Sequence, residues 1–259
     1  MTTLVHDSLV LAGRTVGHWR AQPVPFLVTL LFPVLVVLMM GGLFGGAVAG
    51  SAADYIPFVV PGVLALTMLF GLETTMAAIT ADAARGVTDR FRTLPMHSGA
   101  VLLGRCAADL AAAVAGLAAM TLAGFALGWR WEDGLAGALG AYGLLLLLRF
   151  GIQWVGVYAG LRASGPEAVA AAQILVWPLG FLSTVFLDPV TMPRWLGAVA
   201  EWSPLSATAD AVRSLFGNPG VAAGGWPSEH ALTLSVAWPI LMTVVFAPLS
   251  VAAYRRSNR

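Results

Sequence analysis

The feature that most constrains this chain is a series of long apolar stretches that charged side chains hardly interrupt. Between Arg20 and Asp54 there is no charge, and residues 26–48 are dominated by Leu, Val, Met and Gly. About 20 apolar residues suffice for an α-helix to cross the hydrocarbon core of a bilayer. Charged residues make up only 10% of the chain, against about 25% in ordinary soluble domains. The sequence therefore predicts an integral membrane protein.

Six such stretches are predicted to be transmembrane helices. Together with short loops they account for most of the 259 residues, which leaves no room for a soluble domain of ordinary size. We therefore expect an all-α membrane protein in which residues 1–259 form a single transmembrane domain. The predicted spans are residues 26–48, 56–80, 101–129, 134–161, 168–187 and 231–254.

Shorter helices are predicted outside the spans. Residues 3–22 place apolar side chains from Val5 to Trp19 on one helical face, which is typical of an amphipathic helix on the membrane surface. Residues 188–229 are too polar and too rich in proline to cross the bilayer, and we expect two short helices within them, over residues 192–217. Ser203 followed by Pro204 is a typical N-cap and first-turn pair for the second of them.

Charges gather in one internal segment, residues 83–94, between predicted spans two and three. Because apolar runs flank it, this segment must lie in water at a membrane face. Val87, Phe91 and Leu94 follow at helical spacings of four and three, so they share one face of a short helix. We interpret this helix as a docking element for a partner protein; alternatively, its arginines only orient the spans. The polar residues of the segment are Arg85, Asp89, Arg90 and Arg92.

The distribution of arginine predicts the orientation. If the N terminus lies on the side of the loops that follow spans two and four, that side carries ten arginines and the other side three, and arginine favours the cytoplasmic side. Both termini are therefore expected in the cytoplasm. The ten are Arg14, Arg20, Arg85, Arg90, Arg92, Arg105, Arg162, Arg255, Arg256 and Arg259; the three are Arg130, Arg194 and Arg213.

Three ionisable residues are predicted within the membrane: Glu73, Asp109 and Arg149. Counting along the helices places Glu73 roughly 14 Å and Arg149 roughly 20 Å from the cytoplasmic ends of their spans, with Asp109 nearer that end. An unpaired charge at such a depth is costly, so we expect Glu73 and Arg149 to pair with each other or to face a wet cavity. Either a structural or a substrate-binding role is compatible with this position.

Several catalytic classes are excluded by what the sequence lacks. All fourteen basic residues are arginine, so the chain has no phosphate-binding loop of the GxxxxGK[ST] kind. The single cysteine, Cys106, cannot form an internal disulfide or a cysteine-cluster metal site. We expect no enzymatic activity, metal or cofactor in this chain, and no nucleic-acid partner.

Two segments carry a family resemblance. The loop GVTDRFRTLPM at 86–96, followed by LLGR at 102–105, and the segment FLDPVTMPRWL at 186–196 lie at matching positions among six predicted spans. Together they resemble the permease subunit of type-2 ABC exporters, and within that class the bacterial daunorubicin- and doxorubicin-resistance permease group. The resemblance covers nearly the whole chain.

The resemblance implies a division of labour between chains. A separate ATP-binding subunit would bind ATP and Mg²⁺ and receive the coupling helix, residues 83–94, in a cleft. The external helices would close the transport path from outside, with Trp195, Trp202, Asp210 and Arg213 as gate residues and a bridge between the last two. A second copy of the permease would complete the path through the bacterial cytoplasmic membrane.

The expected cargo is an amphipathic or hydrophobic small molecule, such as a drug, an antibiotic or a lipid-like compound, because the spans offer aromatic and methionine surface but few charges. One alternative from another class remains open. A proton-coupled secondary transporter would use Glu73, Asp109 and Arg149 as a relay and would need no ATP-binding partner.

Overall fold

The computed structural model describes residues 23–84, 98–163, 165–221 and 225–256. These residues form α-helices, one short 3-10 turn at Pro189–Thr191 and connecting turns. The helices are α1 (Pro23–Ala49), α2 (Ala52–Leu69), α3 (Gly71–Ala84), α4 (Ser98–Ala126), α5 (Gly134–Arg162), α6 (Pro166–Phe181), α7 (Arg194–Glu201), α8 (Pro204–Phe216), α9 (Trp226–Glu229) and α10 (Ala231–Arg256). The predicted surface helix 3–22 and the coupling segment beyond Ala84 lie outside the described residues.

Four stretches of the described chain are long and apolar enough to cross a membrane. They are Ala52–Ala84, Leu102–Ala126, Gly134–Arg162 and Ala231–Tyr254; a shorter apolar helical stretch runs from Leu31 to Ala47. Helices suit this setting because each satisfies its own backbone hydrogen bonds without water. The chain is therefore an all-helical membrane protein with several membrane-capable helices.

Two predicted spans differ in detail from the helices observed. The second is a rod of two helices, α2 and α3, interrupted at Phe70. The fifth, predicted over 168–187, is helical only to Phe181, where the amide of Leu182 caps the helix on the carbonyl of Pro178. Beyond that point the chain runs in turns, because side chains of other helices bind its carbonyl groups.

The core is built around α2. Its residues Val59, Val60 and 63–66 are at most 1% exposed, and the helix packs against α1, α5 and α8. The long helix α5 contacts α3 on one side and α10 on another. The short helix α8 is inserted among α2, α5 and α10 rather than lying on the surface.

The bundle has two distinct ends. At one end α2, α5 and α10 begin and α4 and α6 finish; this end also holds α8, and we call it the α8 end. At the opposite end α3, α5 and α10 finish and α4 and α6 begin; we call it the Asp82 end. Each end holds one cluster of charged side chains.

Candidate functional site

Helix α8 is fixed by signals at both of its ends. The hydroxyl of Ser203 accepts a hydrogen bond from the amide of Leu205, and Pro204 occupies the first turn, as the sequence predicted. The helix ends at Gly217, whose φ of 70° lies in the left-handed region that glycine adopts without strain. These caps hold α8 in the register that places Asp210 and Arg213 inside the bundle.

Arg213 is the centre of the polar cluster at the α8 end. Its side chain is fully buried, and its guanidinium donates to the carbonyls of Phe58 (3.0 Å), Thr184 (2.8 Å) and Val185 (2.9 Å). It also lies 3.9 Å from the centre of the Phe58 ring. One side chain therefore joins α8 to α2 and to the irregular segment that follows α6. We call Phe58, Thr184, Val185, Asp210 and Arg213 the Arg213 cluster.

The predicted ion pair between Asp210 and Arg213 is present. Nη1 of Arg213 lies 2.8 Å from Oδ1 of Asp210, which also accepts a hydrogen bond from the hydroxyl of Thr184 at 2.8 Å. Burial raises the pKa of Asp210, and the charge of Arg213 opposes that rise. Burial likewise lowers the pKa of Arg213, and Asp210 opposes this shift. The pair is thus embedded among protein groups, so each charge depends on the other.

A second side chain of α2 holds the same irregular segment. The hydroxyl of Tyr55 donates to the carbonyl of Phe186 at 2.7 Å, in the buried interior. Gly62, one turn beyond Phe58, lets the segment approach closely, because a Cβ there would lie 2.7 Å from the carbonyl oxygen of Val185. Successive carbonyl groups of this segment are therefore bound by two helices: those of Thr184 and Val185 by Arg213 of α8, and that of Phe186 by Tyr55 of α2.

The two predicted gate tryptophans lie apart from this cluster, on the surface. Trp195 is 70% exposed and Trp202 is 51% exposed. The ring of Trp202 stacks on Trp226 at a centroid distance of 5.6 Å, and Trp226 stacks on His230 at 4.3 Å. The gate residues named from the sequence thus divide into a buried ion pair and an exposed aromatic group.

The other charged cluster begins at the Asp82 end and links α3 to α4. Nη1 of Arg105 lies 3.3 Å from Oδ2 of Asp82, and Nε of Arg105 lies 3.3 Å from Oδ1 of Asp109. The hydroxyl of Thr75 donates to the second oxygen of Asp109 at 2.8 Å. The sign of the charge thus alternates from Asp82 on α3 through Arg105 to Asp109, both on α4.

Arg149 continues this alternation deeper into the bundle. It is 7% exposed and lies beside Gly71, one turn before Thr75, the residue that bonds Asp109. Its guanidinium fills the space beside Gly71 on α3, where any Cβ would overlap it. Since α3 runs toward the Asp82 end, Gly71 and Arg149 lie at the inner end of the series. We call Asp82, Arg105, Asp109 and Arg149 the charge ladder.

The predicted ion pair between Glu73 and Arg149 is not formed among the described residues. Arg149 lies against Gly71, and two residues along an α-helix correspond to a rotation of about 200°, so Glu73 points to another face of α3. Glu73 is half-buried there. Counting residues gave similar expected depths for the two charges, but depth does not determine the rotation of the helices that carry them.

Sequence reasoning missed two buried polar residues in this region, Thr75 and Gln153. Gln153 belongs to a stripe of α5 that faces α3, with Arg149, Gly156 and Gly160 at spacings of four, three and four. A Cβ at Gly156 would lie 2.7 Å from the carbonyl oxygen of Leu72, and one at Gly160 would lie 2.8 Å from Cβ of Ile79. The helical spacing of two polar residues and two glycines was the available signal.

The residues predicted to dock a partner protein, Arg85, Val87, Asp89, Arg90, Phe91, Arg92 and Leu94, lie outside the described part of the chain. The structure does describe the helices on either side of them. Asp82 stands in the last turns of α3 and Arg105 in the second turn of α4. Their ion pair therefore joins the two helices that bracket the docking segment.

The fold and its two charged clusters define a helical membrane protein in which α6 ends early, at Phe181, and the short buried helix α8 follows it. Residues 8–216 match the model of the ABC-2 type transporter family. This chain belongs to that family, and its identity as an ABC-2 permease agrees with the resemblance found in the sequence.

Individual relatives agree with this assignment. The chain is 35% identical over 257 residues to the daunorubicin resistance ABC transporter permease protein DrrB1 of Streptomyces coeruleorubidus, covering 99% of this chain and 88% of the relative. It is 24% identical to the putative transport permease ycf38 of Cyanophora paradoxa, over 82% of this chain and 74% of that protein. It is 21% identical to the probable doxorubicin resistance ABC transporter permease protein DrrC of Mycobacterium tuberculosis, over 98% of this chain and 90% of that protein.

Proposed function

We propose that this chain is the membrane-spanning subunit of an ATP-driven exporter that moves amphipathic or hydrophobic small molecules out of the cell. The observation that carries the proposal is the 35% identity, over nearly the full length, to a permease named for daunorubicin resistance. A second relative is named for doxorubicin resistance. Drug-like amphipathic compounds are therefore the cargo class that we propose, with antibiotics and lipid-like molecules included.

Energy would come from a separate ATP-binding subunit, which would hold ATP and Mg²⁺. Residues 83–94 would dock on that subunit through Val87, Phe91 and Leu94, with Arg85, Asp89, Arg90 and Arg92 as polar contacts. The ion pair of Asp82 with Arg105 supports a mechanical role, because it ties together the two helices that would receive the force. ATP binding would then bias the permease toward one of two conformations.

Export would require a path that opens toward the outside at the α8 end. We propose that six spans cross the bacterial cytoplasmic membrane with both termini in the cytoplasm, and that two copies of the chain line the path. The Arg213 cluster would keep the outer part of each copy closed, since it binds the irregular segment to α2 and α8. Trp195 and Trp202 would stand at the outer surface, where exposed indoles fit the membrane interface.

The rival function is proton-coupled transport through Glu73, Asp109 and Arg149. Such a relay requires groups that exchange protons along a connected route. Asp109 and Arg149 lie close together, but no described contact joins either of them to Glu73. This separation favours the ATP-driven exporter.

The test is copurification and ATPase activity of the permease co-expressed with a candidate ATP-binding subunit. Phe91→Asp should abolish copurification or ATP hydrolysis, because it places a charge on the apolar docking face. Thr93→Asp is the matched control: it adds the same charge to the same segment away from the face of Val87, Phe91 and Leu94, and it should retain activity. If the native chain binds no such subunit, or Phe91→Asp behaves as the native chain does, the exporter assignment is wrong and proton-driven transport should be tested.

A further inference from the structure

The interface between α3 and α5 encloses polar groups that no described residue satisfies. Gln153 is fully buried, yet neither its amide nitrogen nor its amide oxygen has a hydrogen-bond partner in the described chain. Nε of Arg149, one turn away on the same helix, is buried and unpartnered as well. Buried polar groups in proteins are nearly always hydrogen-bonded, and leaving one unpaired costs about 1–3 kcal/mol. Three such atoms at one place point to a ligand.

The position of these atoms follows from the stripe of α5 that faces α3. Arg149 lies beside Gly71, and Gly156 lies beside Leu72 and Thr75. Gln153 stands between Arg149 and Gly156 on that stripe, so it is level with the first turn of α3. Residues four apart on a helix have neighbouring side chains, which brings the Gln153 amide next to the Arg149 guanidinium.

The chemistry of the unpartnered atoms selects the ligand. Two are donors, Nε of Arg149 and Nε2 of Gln153, and one is an acceptor, Oε1 of Gln153. Only a ligand that both donates and accepts satisfies all three. An inorganic anion accepts only, and the charge ladder is already balanced, with two acids and two bases. Water both donates and accepts, and buried waters typically make about three hydrogen bonds.

The charge ladder leads from a partly exposed side chain to progressively buried ones. The exposed fraction of the side chain falls from 38% at Asp82 to 21% at Arg105 and 12% at Asp109, in order of increasing depth. Arg149 and Gln153 come next in this order. We propose that Arg149 and Gln153 bind internal water at the inner end of the charge ladder, and that this water exchanges with the cytoplasm from the Asp82 end. Hydration keeps Arg149 charged at this depth without a partner in direct contact.

The single cysteine of the chain is placed to report on this water. Cys106 is 2% exposed, follows Arg105 of the charge ladder on α4, and belongs to a buried cluster that includes Trp154, the neighbour of Gln153 on α5. Its S–H stretching band falls in an infrared window that other protein groups leave empty, and the band shifts when the thiol exchanges its proton for deuterium. The experiment transfers the full-length permease in lipid into D₂O and follows the growth of the S–D band, because the O–D stretch of the solvent covers the S–H region.

The control is a thiol in a dry part of the same bundle. Ala65 is fully buried in the apolar core, so Ala65→Cys in a Cys106→Ser background supplies it. We expect Cys106 to exchange about tenfold faster than this control or more, since exchange at a dry site must await a costly opening of the structure. Equal rates at the two positions would overturn the proposal.

A second variant tests the binding residue itself. Gln153→Leu keeps a similar volume and removes both amide groups, so thiol exchange at Cys106 should slow toward the rate of the Ala65→Cys control. Thr121→Val is its matched control, because it removes a buried hydroxyl bonded to Tyr142 near the α8 end, away from Cys106, and should leave exchange unchanged. If Gln153→Leu folds and leaves the rate as in the native chain, Gln153 does not bind the water. If it fails to fold, the comparison of Cys106 with the Ala65→Cys thiol decides alone.

Discussion

At the scale of single residues, Arg213 is the side chain that makes the most contacts holding the α8 end together. It is fully buried and binds three backbone carbonyls and the carboxylate of Asp210. Arg213→Met removes these bonds and leaves the Asp210 carboxylate buried without its counter-charge, so we expect a loss of about 3–5 kcal/mol in stability. Thermal unfolding of the purified permease in detergent measures it as a lower melting temperature.

A double variant separates the charge from the packing. Replacing Asp210 by Leu in addition to Arg213→Met removes the stranded carboxylate, so the double variant should unfold at a higher temperature than Arg213→Met alone. Arg194→Met, at an exposed position at the start of α7, is the control and should change little. If the double variant is no more stable than Arg213→Met, the loss of stability comes from the broken carbonyl hydrogen bonds and not from the unpaired Asp210 carboxylate.

At the scale of elements, the packing of α5 depends on where its glycines fall. A Cβ at Gly156 would lie 2.7 Å from the carbonyl oxygen of Leu72, which is backbone and cannot rotate away, whereas Gly143 has no atom within 4 Å of such a Cβ. Gly156→Ala should therefore push α3 and α5 apart and lower stability by about 1–3 kcal/mol. Gly143→Ala should be neutral or stabilising, by up to about 1 kcal/mol. Melting temperatures of the two variants test this, and equal effects would contradict the close packing of α3 on α5.

The ends of the helices differ in how far local sequence signals predict them. Local signals were sufficient for α8, whose first turn is set by Ser203 and Pro204, neighbours in the chain. They were insufficient for the end of α6, because Tyr55 of α2 binds the carbonyl of Phe186 from 131 positions away. Likewise, counting gives only an expected depth for Arg149, whereas its contact with Gly71 depends on how α3 and α5 are rotated against each other. The end of α6 and the contact of Arg149 are both decided by contacts between elements far apart in the chain, and such contacts cannot be read from a single sequence.

At the scale of the whole molecule, the sequence predicts different numbers of arginines at the two ends of the bundle, and the described helices show which loops share an end. The 3-10 turn at Pro189–Thr191 belongs to the α8 end, whereas Glu167 starts α6 at the Asp82 end. The sequence places ten arginines on the Asp82 side and three on the α8 side, so the α8 end should face outward. Thr191 and Glu167 are both exposed, which makes them comparable positions for labelling.

We therefore predict opposite labelling of Thr191→Cys and Glu167→Cys, each in a Cys106→Ser background so that the introduced thiol is the only one. In right-side-out membrane vesicles, a membrane-impermeant maleimide should react with Thr191→Cys and should reach Glu167→Cys only after the membrane is opened. Inside-out vesicles should reverse the pattern, which controls for intrinsic differences in thiol reactivity. If only Glu167→Cys were labelled in right-side-out vesicles, the orientation would be the reverse of the one predicted. The Arg213 cluster would then close the cytoplasmic end, and the charge ladder would open outward.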